Sequence, residues 1–284
     1  MSGVASGDRH SGGARLAPEA FDLALRTRLK TRRLGRPHRH HAAVGSTQAE
    51  AALWAASGAP TGALVTADHQ TQGRGRLGRA WADEPGRDLA LSLVLRPALG
   101  PEHLGLVPLA GALAVADATD AAASGAVVPS PESVLKWPND VLLGGKKVAG
   151  VLAETRWTAC GGGHRPTVLL GVGVNVNREA FPPDLAVRAT SLRLATGTAH
   201  DRADLLASLL LALETRLALA PEALVRAAEA RMTALGARVR VGFPGTERAP
   251  LAGTALGLAA DGALRLGTAS GEQLVRAGET TVLQ

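Results

Sequence analysis

The chain has no tyrosine, three phenylalanines and four tryptophans in 284 residues. So few ring faces leave little on which the bases of a single strand can stack, which argues against a dedicated nucleic-acid binder. One cysteine, Cys160, excludes an internal disulfide and an all-cysteine metal cage, and fits a reducing, cytoplasmic setting. The longest uncharged apolar run, Leu104–Ala116, contains Gly and Pro and stops short of the roughly 18 residues a bilayer span needs. No apolar segment follows a basic start within the first thirty residues, so no secretory signal is visible. A P-loop signature is also missing.

The charge is uneven. Residues 1–44 hold nine of the 31 Lys and Arg and three of the 25 Asp and Glu, so the body is neutral and the surplus of +6 belongs to a leader. A basic leader has nucleic acid or an acidic protein as conceivable partners, but its simplest reading is a solvated, partly disordered extension. Within it, residues 1–13 are rich in Gly and Ser, 18–34 have the makings of a short basic helix, and Arg36–His41 reads as a linker. His38, His40 and His41 have no carboxylate or thiolate nearby in sequence to complete a metal site. From Gly45 the pattern alternates. Thr47-x-x-Glu50 matches a capping box before a helix, 61–67 and 89–96 read as strands, and 101–123 has helical spacing. Strands are expected at 133–137, 147–155 and 167–177, then two helices opened by Asp201 and Pro221. Residues 238–284 break into about five short alternating stretches, the pattern of a small β barrel.

Three segments carry chemistry. Gly73-Arg74-Gly75-Arg76-Leu77-Gly78-Arg79, with Trp81 behind it, contains a formal GxGxxG, but no helix opens after it as a dinucleotide fold requires. Glycine lets the backbone fold over a ligand, and each arginine brings a fork of donors matched to phosphate or carboxylate. Such a loop buries little without its anion and is expected to order on binding. In the second segment, Lys136-Trp137-Pro138-Asn139-Asp140, a proline cuts a strand and leaves a polar pair at a turn. A hairpin then returns through Lys147, and strict alternation puts Lys147 with Ala149 on one face and Val148 with Gly150 on the other. The third is Gly171-Val172-Gly173-Val174-Asn175-Val176-Asn177, whose two glycines share a face and admit a ligand or a closely packed neighbour.

Together, in this order, these segments resemble the biotin–protein ligases. The matching pieces are Gly45-Ser46-Thr47-Gln48, Gln70 with GRGRLGR and Trp81, KWPND, Lys147-Val148-Ala149-Gly150-Val151-Leu152-Ala153-Glu154, and GVGVNVN. The resemblance implies an α+β fold, a mixed sheet flanked by helices, followed by a small SH3-like barrel. Its domains would be a basic extension at 1–43, a catalytic domain at 44–235 and the barrel at 236–284. It implies activation of biotin with MgATP to biotinyl-5′-AMP and pyrophosphate, then transfer to one lysine of the biotin carrier domain of acetyl-CoA or a related acyl-CoA carboxylase. By position, Ser46, Thr47, Gln48 and Gln70 would bind the ureido end of biotin, although the family usually has Asn where Gln48 stands. Arg74, Gly75 and Arg76 would close over the adenylate, and Lys147 would bridge the biotin carboxylate and the α-phosphate. Gly150, Gly171 and Gly173 would make room for biotin, while Arg76, Arg79, Trp81, Asn139, Asp140 and Lys147 would face the nucleotide. No resident metal is implied, since Mg²⁺ enters with ATP. Some members also carry an N-terminal DNA-binding domain; the short leader here implies a form without one, with no specific DNA binding, as monomer or homodimer. The nearest alternatives are a lipoate–protein ligase or octanoyltransferase, and nucleic-acid binding through the leader, which deletion of residues 1–43 would separate from ligation.

Overall fold

Apolar residues fill every position of Leu89–Leu95 and nearly every one of 168–174, and the two stretches pair at the centre of a seven-stranded sheet with both faces covered. The computed structural model describes residues 18–124, 130–160 and 163–283; the Gly- and Ser-rich start and the glycines 161–162 beside Cys160 lie outside them. In chain order the elements are α1 (Pro18–Arg28), β1 (His38–His41), α2 (Thr47–Ala56), β2 (Leu64–Ala67), β3 (Leu89–Leu95), α3 (Leu106–Ala123), β4 (Val134–Lys136), β5 (Asp140–Leu143), β6 (Lys146–Cys160) and β7 (Gly163–Val174). There follow α4 (Pro183–Ala186), α5 (Leu192–Thr196), α6 (Arg202–Leu217), α7 (Pro221–Glu229), β8 (Arg238–Gly242), β9 (Leu251–Leu258), β10 (Leu264–Thr268), β11 (Gly271–Val275) and β12 (Glu279–Val282). The large sheet runs β1-β2-β3-β7-β6-β5-β4, parallel between β1 and β2 and antiparallel elsewhere. The fold is thus mixed α+β, as the sequence implies. The last strands form a second, five-stranded antiparallel sheet in the order β11-β10-β9-β8-β12.

One face of the large sheet takes α2, whose Ala51 and Ala52 pack with Val65, Val94 and Leu169. The other takes α3, where Gly111 lies so near Val151 and Leu170 that an added Cβ would sit 3.1 and 3.4 Å from them. By length and composition α3 matches a membrane span, but 67% of it is buried inside the protein, which explains an apolar character on all sides. Its two acids are paired: Asp117 with Arg216 of α6, and Asp120 with Arg231. Asp201 caps α6 by accepting from the N–H groups of Ala203 and Asp204, and Pro221 opens α7, both as expected.

The leader departs from its expected role. Residues 18–41 are built into the fold: Phe21 and Leu25, four apart on one face of α1, are 1% and 0% exposed, and the His-rich run is the edge strand β1. The arginines that suggested a solvated extension sit on the outer face, where Arg28 pairs with Asp201 and Asp204. Glu214 of α6 accepts the N–H groups of Arg32, Arg33 and Leu34.

Buried His38 bonds Asp22 through Nδ1 at 2.6 Å and Thr66 through Nε2 at 2.8 Å. Burial outweighs the neighbouring carboxylate and pulls its pKa from 6.5 down to about 4. The unfolded chain therefore binds the extra proton first. Its stabilisation is complete above pH 6.5 and is lost as pH falls toward 4. Stability should drop by about 2 kcal/mol between pH 7 and pH 5 through this residue. Denaturant titrations at the two pH values check it, and His38→Gln should flatten that part of the dependence.

Candidate functional site

The glycine–arginine segment folds as a short hairpin. Trp81 N–H donates to the Gly73 carbonyl at 2.9 Å, Gly75 N–H to the Arg79 carbonyl at 2.8 Å, and Arg74 pairs with Ala80. At the tip, a single tight turn over Arg76–Gly78, Leu77 takes a left-handed φ of 57°. Gly73 is required at the base, since a Cβ there would lie 2.3 Å from the Trp81 carbonyl oxygen. Arg76 folds inward and donates to Asn139 Oδ1 at 2.9 Å and to the Gly278 carbonyl at 3.3 Å. Burial pulls its pKa down, opposed by Asp140 and Glu279. Arg79 grips the neighbouring Glu279 of β12 at 2.6 and 2.9 Å.

KWPND ends β4, turns through Trp137-Pro138-Asn139 and starts β5 at Asp140. Asn139 Nδ2 donates to the Val151 carbonyl at 3.0 Å, which fastens the turn to β6. Gly144 and Gly145, at φ 58° and 77°, make the two-residue turn into β6. There the expected alternation fails. A bulge lets Val141 pair with Ala149 but Leu142 with Lys147, so Val148 and Ala149 are both fully buried. Lys147 is thereby turned onto the face of Gly150, whose missing Cβ would lie 3.1 Å from Nζ. The ammonium pairs with Asp140 Oδ1 at 2.6 Å and stands 5.6 Å from the Trp81 ring.

Between hairpin and sheet lies a narrow cleft lined by Ser46, Thr47, Gln48, Gln70, Arg74, Gly75, Arg76, Trp81, Asn139, Lys147, Gly150, Gly171 and Gly173. Two side chains use the glycines of β7. Gln48 Oε1 would lie 2.7 Å from a Cβ on Gly171, and the Trp81 indole 2.3 Å from one on Gly173. The room expected there for a ligand is therefore taken up by the cleft's own wall. The capping box is also not made: the N-cap is Ser46, without a side-chain cap bond. Thr47 instead donates from N and Oγ1 to Gln70 Oε1, at 2.9 and 3.0 Å, and its hydroxyl meets Ser92 Oγ at 2.9 Å. Gln48 is engaged at both amide ends, Nε2 donating to the Leu169 carbonyl and Oε1 accepting from Ser92. Ser46 Oγ and Trp81 Nε1 are buried with no hydrogen-bond partner among the described residues, a cost an occupant of the cleft would remove.

Every residue expected at the biotin end of such a site lines this cleft. Of the set expected to face the nucleotide, Arg76, Trp81, Asn139 and Lys147 line the cleft, whereas Arg79, paired with Glu279, and Asp140, paired with Lys147, are not among its lining residues. Leu91, Ser92, Val151, Leu152 and Val172 complete the lining, and none of them was given a role from the sequence. A lone serine in the all-apolar LALSLVL was the available signal for Ser92.

A family model described as the biotin/lipoate A/B protein ligase family matches residues 42–175. The bifunctional ligase/repressor BirA of Bacillus subtilis is 37% identical over 194 residues, 68% of this chain and 57% of that protein. The chain thus spans little more than half the length of that relative. The biotin–acetyl-CoA-carboxylase ligase of Mycobacterium tuberculosis is 38% identical over 248 residues, 86% of this chain and 88% of its own. Among solved structures, biotin protein ligase from Aquifex aeolicus in complex with biotin and ATP superposes with a TM-score of 0.71 at 29% identity, covering 88% of this chain and 99% of that one.

Proposed function

The chain belongs to the biotin/lipoate A/B protein ligase family, and on that premise we propose that it is a biotin–protein ligase acting in two steps. The biotin carboxylate attacks the α-phosphorus of MgATP, giving biotinyl-5′-AMP and expelling pyrophosphate. The ε-amine of a lysine on a carboxylase's biotin carrier domain then attacks the acyl carbon, and AMP leaves. A cytoplasmic setting suits both reactants, and the second sheet is taken as the family's SH3-like barrel.

One observation carries the reading: the uncharged polar residues of the cleft, Ser46, Thr47, Gln48 and Ser92, are buried, whereas its cation Lys147 stands about a third exposed at the mouth. Biotin has the complementary layout, a ureido group at one end and a carboxylate at the other. Gln70 spends its Oε1 on Thr47, which leaves Nε2 free to donate to the ureido oxygen beside the unpartnered Ser46 hydroxyl. The lone pairs of Thr47 and Ser92 suit the ureido N–H groups. Gln48, held at both amide ends by Leu169 and Ser92, closes the pocket. At the mouth, Lys147 and Arg76 would bring two anions together and neutralise the charge that grows on phosphorus, contributions of about 3 kcal/mol each. The carboxylate is already ionised, so the first step needs no base. The Lys147–Asp140 pair would open as the anions arrive, releasing Asp140 toward Mg²⁺ with Asn139 beside it. Trp81 would cover the apolar surface of the adenylate.

A lipoyl or octanoyl chain would leave Ser46, Thr47 and Gln70 facing hydrocarbon, which discriminates strongly against it. Pyrophosphate–ATP exchange with biotin, lipoate and octanoate in separate reactions tests this. Biotin should support exchange at least about a hundredfold above the other two. Equal or greater exchange with lipoate would move the activity to the sister enzymes. Deleting 1–43 would remove α1 and β1, so deletion of 1–17 is the sound test of the leader. Ligation should survive it.

A further inference from the structure

We propose that residues 82–88 are a positioning strap for the arginine hairpin, keyed by Asp83 and by the buried Asp88–Arg178 pair, which set where Gln70 and Trp81 stand over the cleft. The inference rests on the ligase reading above. The hairpin itself buries little: Leu77, Gly78, Arg79 and Ala80 are all exposed. An element so lightly packed takes its direction from its base, and both sides of that base are tied to the strap.

Asp83, whose side chain is 1% exposed, crosses the base from the far side. Its Oδ2 accepts the Gln70 N–H at 2.8 Å and its Oδ1 bonds His69 Nδ1 at 2.6 Å, so the residue two past Trp81 holds the residue three before Gly73. Asp88 closes the other end. Its Oδ2 accepts from Glu84 N–H at 2.8 Å and Arg178 Nε at 2.6 Å, and its Oδ1 from Val176 N–H at 3.2 Å. Arg178 then reaches back with a second nitrogen to the carbonyl of Ala82, the residue next to Trp81. Beneath the strap, Gly86 N–H donates to the Asp68 carbonyl, and Arg202 joins Asp68 Oδ1, at 2.8 Å, to the Asp88 carbonyl, at 3.1 Å.

A buried ion pair contributes little net stability, because desolvation offsets most of the attraction. Geometry is what it supplies. The planar guanidinium spans a fixed distance between the carboxylate of Asp88 and a main-chain carbonyl beside Trp81, a reach that an ammonium cannot copy. Shifts of about 1 Å in a binding group are enough to cost large factors in activity, so a remote clamp of this kind acts on catalysis without touching substrate.

The test uses the full chain with Arg178→Lys and, separately, Asp83→Asn. Two readouts are taken: steady-state kcat and KM for biotin, and trypsin cleavage after Arg74, Arg76 and Arg79 with and without biotin and MgATP. Each variant should raise the biotin KM about tenfold through the shift of Gln70, with a smaller fall in kcat through the shift of Trp81, and should be cut faster at the hairpin alone with ligands bound. Wild-type KM together with wild-type hairpin protection would overturn the proposal. Cleavage that rises evenly along the chain would overturn it as well, by reducing the strap to general stability. Should Asp83→Asn fail to fold, the charge-conserving Arg178→Lys decides. Wild-type protein without biotin-dependent exchange would reject the ligase reading, and the strap with it; normal exchange with unaltered variants would reject the strap alone.

Discussion

Replacing Lys147 with alanine is expected to lower biotin-dependent pyrophosphate exchange by about a thousandfold, about 4 kcal/mol of transition-state stabilisation, with little change in melting temperature. The side chain sits at the mouth of the cleft, about a third exposed, and its burial supports no core packing. Its position is set by the backbone: the bulge at Val148 turns it onto the face of Gly150, where a Cβ would crowd Nζ. Truncation does more than delete a cation. Asp140, now 2.6 Å from Nζ, would be left without that partner and would repel the carboxylate and phosphates that must meet there. Lys147→Ala with Asp140→Asn should therefore recover about tenfold over Lys147→Ala alone, although Asp140→Asn by itself impairs the enzyme. Exchange above a tenth of the wild-type rate in Lys147→Ala would remove this residue from the adenylation step.

The motifs were legible because their chemistry needs fixed residue types at fixed spacing. Gly73 admits Trp81, and Gly144 and Gly145 take the positive φ angles of a two-residue turn, so these demands are visible in sequence. Other features were hidden by composition or distance. Phe21 and Leu25 form the right helical pair, but the arginines around them drew the leader toward a solvated reading. Alternation misplaced Lys147 because one extra residue in β6 reverses the facing of all that precede it. Thr47-x-x-Glu50 looked like a cap because Gln70 and Ser92, which engage the Thr47 hydroxyl, lie 23 and 45 positions away. Arg79 gave no sign of turning toward Glu279, 200 residues on.

Gly173→Ala is expected to lower adenylation about a hundredfold by expelling Trp81 from the cleft. The added Cβ would stand 2.3, 2.5 and 2.7 Å from three atoms of the indole. The strand has no freedom to retreat, being paired to Ala90 on one side and Gly150 on the other at the centre of the sheet. Trp81 also cannot slide along its hairpin, whose base is closed by its hydrogen bond to Gly73. The ring must rotate outward, away from Lys147 and Gly150. Because the clash falls on a partly exposed side chain at the rim of the cleft, the cost in folding should stay near or below about 1 kcal/mol, at the low end for overpacking. A double-mutant cycle separates this from a need for ligand space at Gly173. If the methyl acts through the indole, Gly173→Ala should add almost nothing to Trp81→Ala. If biotin itself occupies the notch, the second loss should appear in full on top of the first. The paired kcat and KM values for biotin decide, since displacement of a covering ring lowers kcat for the adenylate step more than a crowded ground state does.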